Sequence, residues 1–275
     1  MIARRSFVSL LLAGAVCLLA GNPVWAAKPL KLRLLGGVPV VDGVYLDGHG
    51  PYRFVLDTGA QRSRISASLA DALGWKTAFR TKAVTQTHTV MRDGYRASHV
   101  QLGEIETTDE EFVAASFADI QELDPKIQGF LGQSFLSKLD YLIDFRHKKL
   151  KFGSATFRAG VKTAFDLSHG CMVTPTSHGQ LTLDSGATTV VLYDPGEVVW
   201  KGSLSLFTTE GQAVVRRGEL PSLRVAGQEF RKVDTAASGR GKYDATDSDG
   251  LLPASLFSSL YVSNSGGYVV FNPEN

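Results

Sequence analysis

A chain of 275 residues that is 44% apolar and 20% charged has material for one or two domains with real cores, and is neither a disordered nor a fibrous sequence. Its formal net charge of +2 leaves no excess to draw it to nucleic acid or to an anionic membrane. There is no His-Glu-x-x-His pattern for zinc and no Gly-x-Ser-x-Gly elbow for a serine nucleophile, because Gly132-Gln133-Ser134 lacks the closing Gly.

Residues 1–26 have the anatomy of a secretory signal peptide. Arg4 and Arg5 precede an apolar run over 7–20, and Pro23 and the small-residue pattern Val24-Trp25-Ala26 follow. Cleavage is expected after Ala26, with export to the periplasm or the medium and no stable membrane association afterwards. The run is short for a membrane span, and Arg4-Arg5-Ser6-Phe7-Val8 is a partial twin-arginine match. Without Arg4 and Arg5, 27 basic side chains remain against 27 acidic ones. Cys17 falls in this segment, which leaves Cys171 without a disulfide partner.

From Leu30 to Leu46 apolar stretches alternate with the turn signals Gly36-Gly37 and Asp42-Gly43, as in strands joined by tight turns. A further turn cluster, Asp47-Gly48-His49-Gly50-Pro51, leads into Phe54-Val55-Leu56-Asp57-Thr58-Gly59-Ala60: an apolar strand ending in a carboxylate, a hydroxyl residue, a Gly that permits a tight turn, and Ala. Residues 66–73 predict a short helix capped by Ser66. Residues 85–101 predict a hairpin around Asp93-Gly94, and Gly129-Phe130-Leu131-Gly132 leads into a helical stretch over 133–139. The pairing of 141–145 with 150–152 predicts a closing hairpin, with the basic run 146–151 as its solvated turn.

The sequence then repeats itself. Leu181-Thr182-Leu183-Asp184-Ser185-Gly186-Ala187 restates the first motif 127 residues later. Asp194-Pro195 predicts a helix start, 205–220 a hairpin around Glu210-Gly211, Gly250-Leu251-Leu252-Pro253 a strand before a helical stretch over 254–260, and 261–271 a second closing hairpin. Residues 236–248, rich in Gly, Ser and Asp, predict a mobile loop. An Asp-[Thr/Ser]-Gly triplet arises by chance in roughly one chain in ten of this length. Two copies, each at the end of an apolar strand and each followed by Ala, make a duplicated domain the better account. The expected division is a signal over 1–26, one lobe over 28–158 and a second over 159–275.

At these residues the chain resembles the aspartic proteases, specifically the retropepsin-like branch, whose hallmark is Asp-Thr-Gly-Ala at a strand end. The resemblance implies an all-β-dominated fold of two pseudo-symmetric lobes with short helices and a cleft between them. It implies an aspartic endopeptidase with Asp57 and Asp184 as the catalytic pair, Thr58 and Ser185 pinning the two turns, and Gly59, Ala60, Gly186 and Ala187 completing them. Two carboxylates sharing one proton supply both a general acid and a general base, so the chemistry calls for no cofactor and no metal. Substrates would be peptides or proteins, and one chain carrying both half-sites implies a monomer. Pro253 departs from the family pattern, standing where the first lobe has Gly132. An amide needed beneath Asp184 would be missing there. That departure supports an alternative: a catalytically inactive exported protein of the same fold that holds a peptide or partner in its cleft.

Overall fold

The computed structural model describes residues 27–84, 89–168, 170–208, 211–239 and 248–274. The expected signal segment lies outside them, as does most of the expected mobile loop. Strands take 62% of the described residues and helices 8%, which makes it an all-β protein of two lobes. No helix among the described residues is long and apolar enough to cross a membrane.

Each lobe is organised around one crossing of strands. In the first, His49–Leu56 runs parallel to Ile127–Leu131, pairing Leu56 with Leu131, and Ile127–Leu131 pairs antiparallel with Ser63–Ser66 on its other side. In the second, Gly179–Asp184 runs parallel to Gly250–Pro253, pairing Leu183 with Leu252, and Val190–Leu192 pairs antiparallel beyond it. Alternation along a strand explains the shared pose of the two carboxylates: Phe54 and Leu56 in one, Leu181 and Leu183 in the other, are all buried one and three places before the Asp. These four side chains belong to a single apolar core that also takes in Phe112 and Phe135 from the first half and Leu252, Phe257 and Phe271 from the second.

The halves are also joined through backbone. The closing hairpins lie side by side in one 13-stranded sheet, where Tyr141–Asp144 pairs antiparallel with Ser259–Ser263 from Tyr141↔Val262 to Asp144↔Ser259. Ala159–Ala164 adds to the far edge by pairing with Tyr268–Glu274. The rest of the second half forms an eight-stranded sheet.

Each lobe carries a long hairpin: Phe79–Val84 with Thr89–Leu102, and Val199–Thr208 with Gly211–Val225. The second reaches the first lobe, where the Gln212 Nε2 donates to the Asp119 Oδ1 at 3.1 Å.

Four local expectations are corrected. Asp93-Gly94 is not a turn but mid-strand, with Gly94 paired to Phe79; the Phe79 ring lies against Gly94 where any Cβ would collide with it. Asp42-Gly43 lies inside the strand Val38–Leu46 as an irregularity in its register with His49–Leu56. Asp194-Pro195 starts no helix: the Tyr193 N–H is tied to the Asp249 carbonyl at 3.0 Å and the next strand begins at Val199, which leaves no room for one. After Pro253 only a 3-10 turn over Ala254–Leu256 forms, because the chain must enter the strand Ser259–Ser263. The helix at Ala67–Ala72 does form, with the Ser66 Oγ accepting from the Leu69 N–H at 3.2 Å.

Candidate active site

Asp57 and Asp184 end their strands facing one another. The Asp57 N–H donates to the Leu131 carbonyl at 2.9 Å, which ties the first carboxylate to the crossing strand. Both turns then fold back on their own carboxyl group. The Gly59 N–H donates to Asp57 Oδ1 at 3.0 Å, and the Gly186 and Ala187 N–H groups donate to Asp184 Oδ1 at 2.7 and 3.1 Å. Each carboxyl lies against the glycine of the opposite turn, close enough for the two to act on each other's ionisation.

Why they can meet is visible at the glycines. A Cβ on Gly59 would stand 2.5 Å from the Asp184 Cγ, and one on Gly186 would stand 3.1 Å from the Asp57 Cγ. Each turn must therefore lack a side chain for the opposite carboxyl to pack against it.

Thr58 and Ser185 hold the halves in that position. The Thr58 hydroxyl donates to the Leu183 carbonyl at 2.7 Å and accepts from the Ser185 N–H at 2.9 Å. In return the Ser185 hydroxyl donates to the Leu56 carbonyl at 2.7 Å and accepts from the Thr58 N–H at 3.0 Å. Both residues are buried, so these four bonds are shielded from water.

Burial dominates the electrostatics. It pushes the Asp57 carboxyl above its ordinary value of 3.8, opposed by the positive charge of Arg64 and by the amides of the turn. Burial and then the negative charge of Asp57 push Asp184 well above that value. Two carboxyls packed so close cannot both ionise cheaply, which favours a single shared proton.

Three further residues shape the site. The Gln133 Nε2 donates to the Thr58 carbonyl at 2.7 Å, and its own N–H donates to the Ala60 carbonyl at 2.8 Å. Cys171 donates its Sγ–H to the Gly59 carbonyl at 3.2 Å; burial first, then the nearby carboxylates, push this thiol up to about 12, so it stays a neutral donor. Arg64 sits where the second lobe has Val191, since each pairs with the matching residue of its crossing strand, Phe130 and Leu251. Gln133 follows Gly132 directly, but nothing local in the sequence marks Cys171 or Arg64 as neighbours of the pair.

Pro253 meets no unmet demand. In the first lobe the Gly132 N–H donates to the Ser63 Oγ at 3.1 Å. The residue in register with Ser63 in the second lobe is Val190, buried and without a hydroxyl. Donor and acceptor are absent together.

The sequence model described as aspartyl protease matches residues 43–135, the stretch that holds Asp57, its turn and the crossing strand. Over that stretch the chain is similar to the aspartyl-protease family. The chain is also similar to the crystal structure of an aspartic proteinase from Irpex lacteus, with a TM-score of 0.53 and 11% identity over 91% of this chain and 98% of that one, a likeness of fold. A retropepsin-like aspartic protease from Rickettsia conorii matches 48% of this chain over 97% of its own, with 18% identity and a TM-score of 0.35. No curated protein matches in sequence.

Proposed function

We propose that the chain is an endopeptidase that hydrolyses peptide bonds by activating water between Asp57 and Asp184. The observation that carries this reading is the pair of carboxyls set face to face, each against the glycine of the opposite turn and each backed by the amides of its own. Arg64 favours the charged form of Asp57, while the charge on Asp57 favours a proton on Asp184, so Asp57 takes the role of base and Asp184 that of acid.

In the forward step Asp57 removes a proton from water as its oxygen attacks the scissile carbonyl carbon, and Asp184 gives its proton to the carbonyl oxygen. The product is a neutral tetrahedral diol. Its collapse breaks the C–N bond, with the proton now on Asp57 passing to the departing amine and a diol hydroxyl returning its proton to Asp184. No covalent enzyme intermediate forms.

The non-enzymatic alternative drew its support from Pro253, and the paired loss of the Gly132-type donor and the Ser63-type acceptor takes that support away. Peptide or protein substrates, a monomeric state and an exported location belong to the same proposal. The substrates are those of the proposed reaction, one chain carrying both half-sites supports the monomeric state, and residues 1–26 support the location.

The test is cleavage of a mixed peptide library by the purified chain, with Asp57→Asn and Asp184→Asn alongside. Each change should lower turnover by roughly a thousandfold or more, and the double variant should lose little beyond either single one, since the pair acts as a unit. Unchanged cleavage by Asp184→Asn would sink the two-lobe mechanism.

A further inference from the structure

The two half-sites are supported by different chemistry, and one buried acid accounts for the difference. Glu110, on the strand Ile105–Ala115, is completely buried and takes no part in the mechanism above. It accepts from the Ser63 hydroxyl at 3.2 Å and from the Lys138 Nζ at 2.7 Å. Lys138 is partly exposed, so the acid is neutralised from the surface side while its other oxygen faces inward.

Ser63 is the junction. Its hydroxyl has one proton, given to Glu110, which leaves the lone pairs for the Gly132 N–H at 3.1 Å and the Ser134 hydroxyl at 3.0 Å. The Ser134 hydroxyl in turn accepts from the Ser63 N–H at 2.9 Å. Gly132 adjoins Leu131, whose carbonyl accepts the Asp57 N–H. A chain of hydrogen bonds therefore runs from the buried acid to the backbone of the first catalytic residue.

In the second lobe the acid, the hydroxyl that bonds it and the amide beyond are all replaced. Register places Val190 opposite Ser63, Val233 opposite Glu110 and Pro253 opposite Gly132. All three are buried. Behind the first crossing strand stands a charged network, and at the matching positions of the second lobe stand apolar side chains.

We propose that Glu110 is a positioning residue for Asp57: by fixing the direction of the Ser63 hydroxyl it holds the Leu131-Gly132 backbone, and with it Asp57, in place opposite Asp184. The proposal rests on the peptidase reading for its kinetic consequence but not for its structural one. Removing the acid leaves a buried hydroxyl without an acceptor, and a small shift of a reacting group is costly.

Steady-state kinetics of Glu110→Val, Glu110→Gln and Ser63→Ala, with the Ser63→Ala/Glu110→Val pair, test it. Glu110→Val should lower kcat by about tenfold or more with KM changed less than about twofold. Glu110→Gln keeps an acceptor for Ser63 and should stay within about threefold of the wild type. The double variant should lose no more than the worse single one, because both act through one junction. Hydrogen exchange supplies a readout that needs no activity: the Gly132 and Asp57 amides should exchange at least about tenfold faster in Glu110→Val than in the wild type. Additive losses, a change in KM alone, or unaltered exchange at those two amides in folded Glu110→Val would overturn the proposal. A wild type that cuts no peptide would instead overturn the peptidase reading, and the exchange result would still decide the role of Glu110.

Discussion

Gly59 lies against the Asp184 carboxyl with no room between them, since a methyl group added there would stand 2.5 Å from the Asp184 Cγ. The reciprocal contact is looser, because a methyl on Gly186 would stand 3.1 Å from the Asp57 Cγ. Gly59→Ala should therefore cut kcat by about a hundredfold or more, and Gly186→Ala by clearly less. Equal losses in the two variants, measured on one peptide substrate, would contradict this ranking.

Ser185→Ala removes a buried donor and a buried acceptor together, stranding the Leu56 carbonyl and the Thr58 N–H. Unsatisfied buried groups cost about 1–3 kcal/mol each, so the variant should be less stable by roughly 2–4 kcal/mol. Urea unfolding followed by fluorescence measures it. A loss below about 0.5 kcal/mol, the size of an ordinary surface change, would mean that the four bonds across the turns do not hold the lobes together.

The raised pKa values also carry a stability cost. A carboxyl whose folded value lies above its unfolded one stabilises the fold fully while pH is below the unfolded value, and that contribution is lost as pH rises through the folded value. For Asp57 and Asp184 the loss begins above about pH 4. Asp184→Asn cannot ionise, and its amide oxygen can still accept from Gly186. The variant should match the wild type in stability near pH 3 and exceed it at pH 7. Unfolding midpoints taken at both values decide the matter, and a difference that does not grow with pH would count against the shared-proton description.

Ala60 and Ala187 bear on the activity profile. Neither can offer a hydroxyl to the adjacent carboxyl, and burial already favours the protonated forms. Cleavage should follow a bell centred at about pH 5 to 6. Ala60→Thr with Ala187→Thr, if the hydroxyls donate to the carboxylates, should move the bell down by about one pH unit. A wild-type optimum near pH 3, or no shift in a folded double variant, would refute this.

The parts of the site written in short stretches could be read in advance. The two Asp-hydroxyl-Gly turns, the crossing strands and the closing hairpins each depend on a few consecutive residues and on the alternation of buried side chains. Glu110, Arg64 and Cys171 could not, because what brings them to the site is pairing between distant strands, and a lone Glu or Cys looks the same on a surface as in a core. Asp93-Gly94 and Asp194-Pro195 misled for the opposite reason: their local preference for a turn or a helix start is overridden by strand pairing with Phe79 and by the short path from Leu192 to Val199.

The ladder between Tyr141–Asp144 and Ser259–Ser263 limits how a substrate can get in. Four consecutive residue pairs join the halves along that seam, and rocking one lobe against the other would shear them all at once. The floor of the molecule is a rigid plate. Entry then falls to the second long hairpin, which among the described residues is fastened to the first lobe by the bond from Gln212 to Asp119, a solvent-exposed contact worth about 1 kcal/mol. The molecule would open like a box with fixed walls and a hinged cover.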